Sequence, residues 1–73
     1  MDLTSIYYFT EVIKDKNITR TAERLYMSQQ TLSNHMARLE NELGAALFLR
    51  RPSLTLTPAG EQFLQYALTV TRE

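Results

Sequence analysis

From Leu25 to Ala37 the chain carries no formally charged residue, yet Leu32, Met36, Leu39 and Leu43 recur at helical spacing through that stretch and beyond it. At roughly 100° per residue these four side chains fall on one face. Ser28 is a suitable N-cap and Gly44 a natural stop, so the spacing predicts an amphipathic helix over about 28–43. Gln30, Asn34 and Ala37 lie on its opposite face, flanked by Ser33 and Arg38, with Gln29 at the exposed N-terminal end. Solvated helix faces usually carry Lys and Glu. Amides and hydroxyls instead suit base edges: one Gln or Asn can bond adenine N6 and N7 together, at about 1–3 kcal/mol of discrimination. The free N–H groups of the helix start also suit a phosphate. The plainer alternative is that short polar residues gather here only to cap a helix.

The flanking segments are also helical. Leu3, Ile6, Phe9, Thr10 and Ile13 share one side of a first helix, which Asp2 or Thr4 can cap, while Tyr8 and Val12 fall on the other side. Two apolar sides predict a helix shared between the core and a partner. Asn17 can cap a short second helix whose Ile18, Ala22 and Leu25 form one stripe. Between Leu47 and Leu56, β-forming residues flank a Pro-Ser turn, which predicts a small hairpin. Thr57-Pro58 then supplies an N-cap and a first-turn proline for a last helix. That helix carries two apolar stripes, one with Ala59, Phe63, Ala67 and Val70, the other with Leu64 and Leu68. Its arc is too wide for an ordinary surface helix and again implies a partner, with the core-facing stripe left open.

Size and composition exclude several classes of function. A chain of 73 residues holds one domain, with so small a core that self-association is a natural source of further stability. It has no cysteine and a single histidine, His35, so neither disulfides nor a zinc ligand set is expected. The longest apolar run, Ala45 to Leu49, is far below the ~18 residues of a membrane span, and the start lacks the basic residues of a signal peptide, so a cytoplasmic location is expected. No nucleophile–base pair, Gly-rich loop or metal set points to catalysis. Glu40 and Glu42 lie on different faces of a helix, and Glu40 is expected to pair near Arg38 or with another helix end. His35 reads as a partly exposed helix residue, and Tyr7, Tyr8, Tyr26 and Tyr66 as packing residues.

Net charge is zero, an unusual balance for a chain that binds duplex phosphates. The charge is polarised along the sequence, however. Residues 17–39 carry +2, from Arg20, Arg24 and Arg38 against Glu23, and residues 47–58 carry +2, from Arg50 and Arg51, leaving −4 elsewhere. Two helices joined by a tight turn match the helix-turn-helix plan, in which the second helix enters the major groove. The hairpin bearing Arg50 and Arg51 has the character of a wing that reaches a phosphate or the minor groove. The competing reading is a protein-interaction module of the same fold, which zero net charge supports.

Five fragments in order carry a family resemblance: Ala22-Glu23-Arg24-Leu25, Ser28-Gln29, Leu39-Glu40-Asn41-Glu42-Leu43-Gly44, Leu47-Phe48 with Arg50, and Leu56-Thr57-Pro58-Ala59-Gly60. Together they resemble the N-terminal domain of LysR-type bacterial transcriptional regulators. The resemblance implies a winged helix-turn-helix and a long linker helix that pairs antiparallel with its copy in a dimer. It also implies that a small-molecule effector acts only through a further domain that this chain does not include. By the same resemblance Gln29 takes the base-reading position, Ser33 touches phosphate or a base, Ser28 and Thr31 flank them, Arg50 is partly structural and Arg51 reaches the groove. Gln30 stands where the family commonly has proline and Asn34 where arginine is common, which shifts preference towards adenine and lowers affinity. Thr21 replaces a usual alanine and is expected to splay the helix contact slightly. The wing is about one residue shorter than usual.

The resulting expectation is a mainly α fold with a three-helix core, a small β-hairpin wing and a C-terminal linker helix, divided as residues 1–57 and 58–73. It binds double-stranded DNA as a homodimer on an inverted repeat, without cofactor or catalysis. Ser28, Gln29, Gln30, Thr31, Ser33, Asn34, Arg38, Arg50 and Arg51 face DNA, and Tyr8, Val12, Phe63, Leu64, Ala67 and Leu68 face the second copy.

Overall fold

Each of the four helices begins at the kind of residue that caps one. In the computed structural model, which describes residues 1–72, the side chains of Asp2, Asn17, Ser28 and Thr57 accept from the backbone N–H three residues on. They open α1 (Leu3–Asp15), α2 (Ile18–Arg24), α3 (Gln29–Leu43) and α4 (Pro58–Thr71). Strands β1 (Phe48–Leu49) and β2 (Thr55–Leu56) lie between α3 and α4 and pair antiparallel, Phe48 opposite Leu56 and Leu49 opposite Thr55. The architecture is the expected winged helix-turn-helix. Glu73, placed in the linker helix by sequence, lies outside the described residues.

The core is built around α1, which packs against α2, α3 and α4. Phe9 is its centre: its ring meets Phe63 of α4 edge-on at 5.1 Å and Phe48 of β1 at 5.5 Å. Leu32, Met36 and Leu39 of α3 close the core from the other side. This enclosure corrects the reading of α1 as a helix divided between core and partner. Val12 is 0% exposed and so has no surface to offer a second copy, whereas Leu3, in the first turn, is exposed. The same holds on α4, where Gly60, Phe63 and Ala67 are buried. The core-facing stripe is thus that of Phe63 and Ala67, and neither is available to a partner. Leu64 is half-buried and Leu68 exposed, so the second stripe stays open.

The junction between wing and α4 explains the Thr57-Pro58-Ala59-Gly60 fragment. The Thr57 hydroxyl donates to Ala46 O at 2.6 Å and accepts from Gly60 N at 2.9 Å. A Cβ on Gly60 would collide with the carbonyl oxygen of Leu47, so only glycine lets α4 start this close to the wing. Proline fills the first turn, where its missing N–H leaves no bond unmade.

Candidate nucleic-acid interface

The uncharged face of α3 is free of the rest of the fold. Gln29, Gln30, Thr31, Asn34, Ala37 and Arg38 are exposed, over a buried stripe of Leu32, Met36 and Leu39. Ser33 is half-buried at the edge of this face. Ser28 accepts from Thr31 N at 3.0 Å and donates to the Thr31 hydroxyl at 2.8 Å, which spends both side chains on the helix start. Gln30 Nε2 donates to Asn34 Oδ1 at 3.3 Å, one helical turn on. The capping requirement therefore accounts for Ser28 and Thr31 but not for Gln29, Gln30 and Asn34.

The turn that delivers α3 holds an unforeseen feature. Tyr26 adopts the left-handed backbone, with φ of 57°, and is 97% exposed, against the expectation that it packs. Tyr7 and Tyr66 are also exposed, while Tyr8 is half-buried and meets His35 edge-on at 4.9 Å. His35 is half-buried too, its Nδ1 lying 2.7 Å from the Ser5 hydroxyl.

Glu40 joins α3 to the wing. Its Oε2 accepts from Leu47 N at 2.7 Å and Phe48 N at 3.3 Å, while Oε1 lies 3.8 Å from Arg50 Nη2. This replaces the expected pairing near Arg38. One carboxylate thus satisfies two backbone donors entering β1 and holds the hairpin to α3. Arg50 also sits 5.7 Å from the Phe48 ring centroid, so its head group serves the wing itself. Arg51 is exposed, with no ion pair among the described residues. Sequence reasoning missed Glu40 because its partners lie seven and eight residues downstream, across a helix end.

Arg24 does not belong to the basic surface that charge counting along the chain assigns it to. Its Nη1 donates to Glu11 Oε1 at 2.7 Å, and its Nε and Nη2 donate to Asp15 Oδ2 at 3.1 and 2.8 Å. Lys14 approaches the other Glu11 oxygen at 2.8 Å. Burial works to raise the Glu11 carboxyl, but the bonds from Lys14 and Arg24 outweigh it and hold the group below its ordinary value. Asp15 is lowered by Arg24 first and by Thr21 second, and the Arg24 guanidinium is pushed up by Asp15 and Glu11. Thr21 is wholly buried and donates to Asp15 Oδ2 at 2.7 Å, so its hydroxyl joins this network. Arg20, Arg38 and Arg51 remain as cations without ion pairs among the described residues of the two basic segments.

Other chemistry is sparse. Among the described residues no group of three or more His, Asp or Glu side chains could hold a metal ion, and no helix is long and apolar enough to cross a membrane. A groove of about 400 Å³ between α1 and α4 includes Tyr7, Ile13, Leu64 and Leu68 in its walls.

Comparison with known proteins places this geometry. Residues 3–61 match the family described as bacterial regulatory helix-turn-helix protein, lysR family. The chain is 45% identical over 71 residues to the HTH-type transcriptional regulator HdfR of Yersinia enterocolitica, covering 96% of this chain and 24% of that protein. It is 44% identical over 70 residues to the HTH-type transcriptional activator IlvY of Haemophilus influenzae, covering 94% and 24%. It therefore spans about a quarter of the length of these relatives. The fold matches BenM_DBD in a complex with catB site 1 DNA, with a TM-score of 0.91 at 35% identity, over 97% of this chain and 81% of that one. It matches CbnR_DBD in its DNA complex with a TM-score of 0.90 at 33% identity, over 97% and 83%.

Proposed function

The chain belongs to the LysR family of bacterial helix-turn-helix regulators, and from that premise we propose that it is the part of a transcriptional regulator that binds double-stranded DNA in a sequence-specific manner. The observation that carries this reading is the exposed amide face of α3, which the fold neither buries nor needs for capping. The two DNA-bound neighbours, BenM_DBD and CbnR_DBD, support it. In this reading α3 lies in the major groove with Gln29, Gln30 and Asn34 at base edges, and phosphate contacts set the register. Ser28, Thr31, Ser33 and Arg38 line the same approach, Arg50 holds the wing and Arg51 reaches the backbone or minor groove. The reading needs no cofactor and no catalytic step.

Two copies pair through α4, with residues 1–57 as the reader and the helix from residue 58 as the start of the linker. Leu64 and Leu68, open on α4 beside Tyr7, support that arrangement, with Tyr8 half-buried on α1. Twofold symmetry then selects an inverted repeat. A small-molecule effector acts through the region of the relatives that this chain does not span.

The test is selection from a random duplex pool at low and moderate salt. An enriched inverted repeat is expected. With Arg20, Arg38 and Arg51 of the two basic segments, which have no ion pair among the described residues, meeting phosphates in each copy, a dimer neutralises about six and log K falls with log salt at a slope of roughly −5. Arg51→Ala weakens all sequences alike and flattens that slope by about one for each copy. No enrichment, together with salt-independent capture of a protein, would favour the interaction-module reading instead.

A further inference from the structure

Gln30 and Asn34 are not independent amides. Both are exposed on the same face of α3, one turn apart, and Gln30 Nε2 donates to Asn34 Oδ1 at 3.3 Å. That bond fixes which polar atoms remain for a ligand. Gln30 keeps its Oε1 acceptor and one Nε2 hydrogen, the acceptor–donor pair that adenine N6 and N7 require. The bond holds the Asn34 oxygen towards Gln30 with one lone pair taken, which leaves the two hydrogens of Nδ2 as the groups Asn34 offers away from Gln30. A pair of donors suits the keto bases, guanine through O6 and N7 or thymine through O4, whereas adenine sets its N6 donor beside its N7 acceptor and cytosine N4 is itself a donor. The two amide groups approach to 3.3 Å, close to the roughly 3.4 Å rise of one base pair, so they reach neighbouring pairs.

We infer that Gln30 and Asn34 form a coupled specificity pair that reads a two-base step, adenine beneath Gln30 and a keto base beneath Asn34. The inference rests on the reading of α3 as the DNA-facing helix and deepens it. Asn34 has two roles here: it contacts its own base and, as a positioning residue, holds the Gln30 amide in the orientation adenine needs. Neither side chain packs in the core, so each can be changed without disturbing Leu32, Met36 or Leu39.

The experiment is selection from a random duplex pool with the full chain and with Asn34→Ala, Asn34→Asp and Gln30→Ala, with helical content checked by circular dichroism. The wild-type chain enriches adenine beside a keto base, each preferred about tenfold or more over alternatives. Gln30→Ala removes the adenine preference. Asn34→Ala relaxes both positions, because Gln30 loses its orientation. Asn34→Asp is the discriminating variant: its carboxylate still accepts from Gln30, so adenine stays preferred, while its remaining oxygen turns the neighbouring preference from keto bases to the amino bases cytosine or adenine. Overall affinity falls for this variant through repulsion from phosphates. Asn34→Ala relaxing only one position, or Asn34→Asp leaving the keto preference in place, would overturn the coupled pair while leaving DNA reading intact. A wild-type chain that enriches no sequence at all would overturn the DNA reading itself.

Discussion

The junction of α1 with α2 and the outer face of α3 are both polar, and they use polarity in opposite ways. At the junction the charges of Glu11, Asp15, Lys14 and Arg24 are spent on one another, and Thr21 donates its hydroxyl into the same network. On α3 the amides of Gln29, Gln30 and Asn34 are uncharged and exposed, with a single hydrogen bond between two of them. The first arrangement satisfies its groups internally and adds rigidity where α1 meets the helix-turn-helix unit. The second leaves donors and acceptors open at a surface that costs less to desolvate than a charged one, because no formal charge is moved from water. Zero net charge is compatible with a DNA partner because charges of both signs are spent together at the junction, while Arg38 and Arg51 have no ion pair among the described residues.

Substitutions that separate the two regions should differ in size and in kind. Met36→Ala, beneath the amide face, removes a wholly buried side chain and is expected to cost about 3 kcal/mol of stability by urea denaturation. Glu11→Ala breaks a network whose carboxylate is 5% exposed. A loss of about 2 kcal/mol is expected, below the ~3–5 kcal/mol of a fully buried pair because Lys14 and Arg24 stay open to water. Base preference of the folded fraction should not change. A Glu11→Ala chain as stable as the wild type would show the junction to be ordinary surface charge.

The same network makes stability depend on pH. Glu11 and Asp15 have folded values below their ordinary 4.5 and 3.8, so the native state holds fewer protons than the unfolded chain as those groups titrate. Their contribution is complete above the ordinary values and is lost as pH falls through them towards the lower, folded ones. The urea midpoint should be flat near neutrality and drop below about pH 4 to 5, more weakly in Glu11→Ala.

Smaller effects come from the reading side. Tyr26→Gly relieves a left-handed backbone at an exposed side chain and should raise stability by about 1 kcal/mol or less. Gln29→Ala should change stability by less than about 0.5 kcal/mol, as an exposed substitution does. It should nonetheless relax preference at one base pair of each half-site, about tenfold. Equal losses on every duplex would reduce Gln29 to a backbone contact.

Much of the fold is legible in local chemistry. Ser28, Asn17 and Thr57 announce helix starts because a cap acts within three residues, and Gly44 announces an end because it adopts φ of 71°. What escapes is what depends on neighbours distant in sequence. Val12 falls off the apolar stripe of α1, yet α1 is enclosed by three other helices and buries it. Arg24 counts as basic surface until α1 supplies Glu11 and Asp15, thirteen and nine residues away. Glu40 gives no local sign that it bonds two backbone N–H groups of the wing. The amide face of α3 was readable because it is defined by what it lacks, and helical spacing alone separates it from Leu32, Met36 and Leu39.

The most direct test of the account is to follow the side-chain NH₂ resonances of Gln29, Gln30 and Asn34 by nitrogen-15 NMR while the selected duplex is titrated in. Their shifts should move with binding and saturate at the same duplex concentration as binding itself, with the Arg24 side-chain signal unmoved. Saturated binding that leaves all three amide signals in place, with changes confined to the wing or to the α1–α2 junction, would contradict the assignment of α3 as the reader.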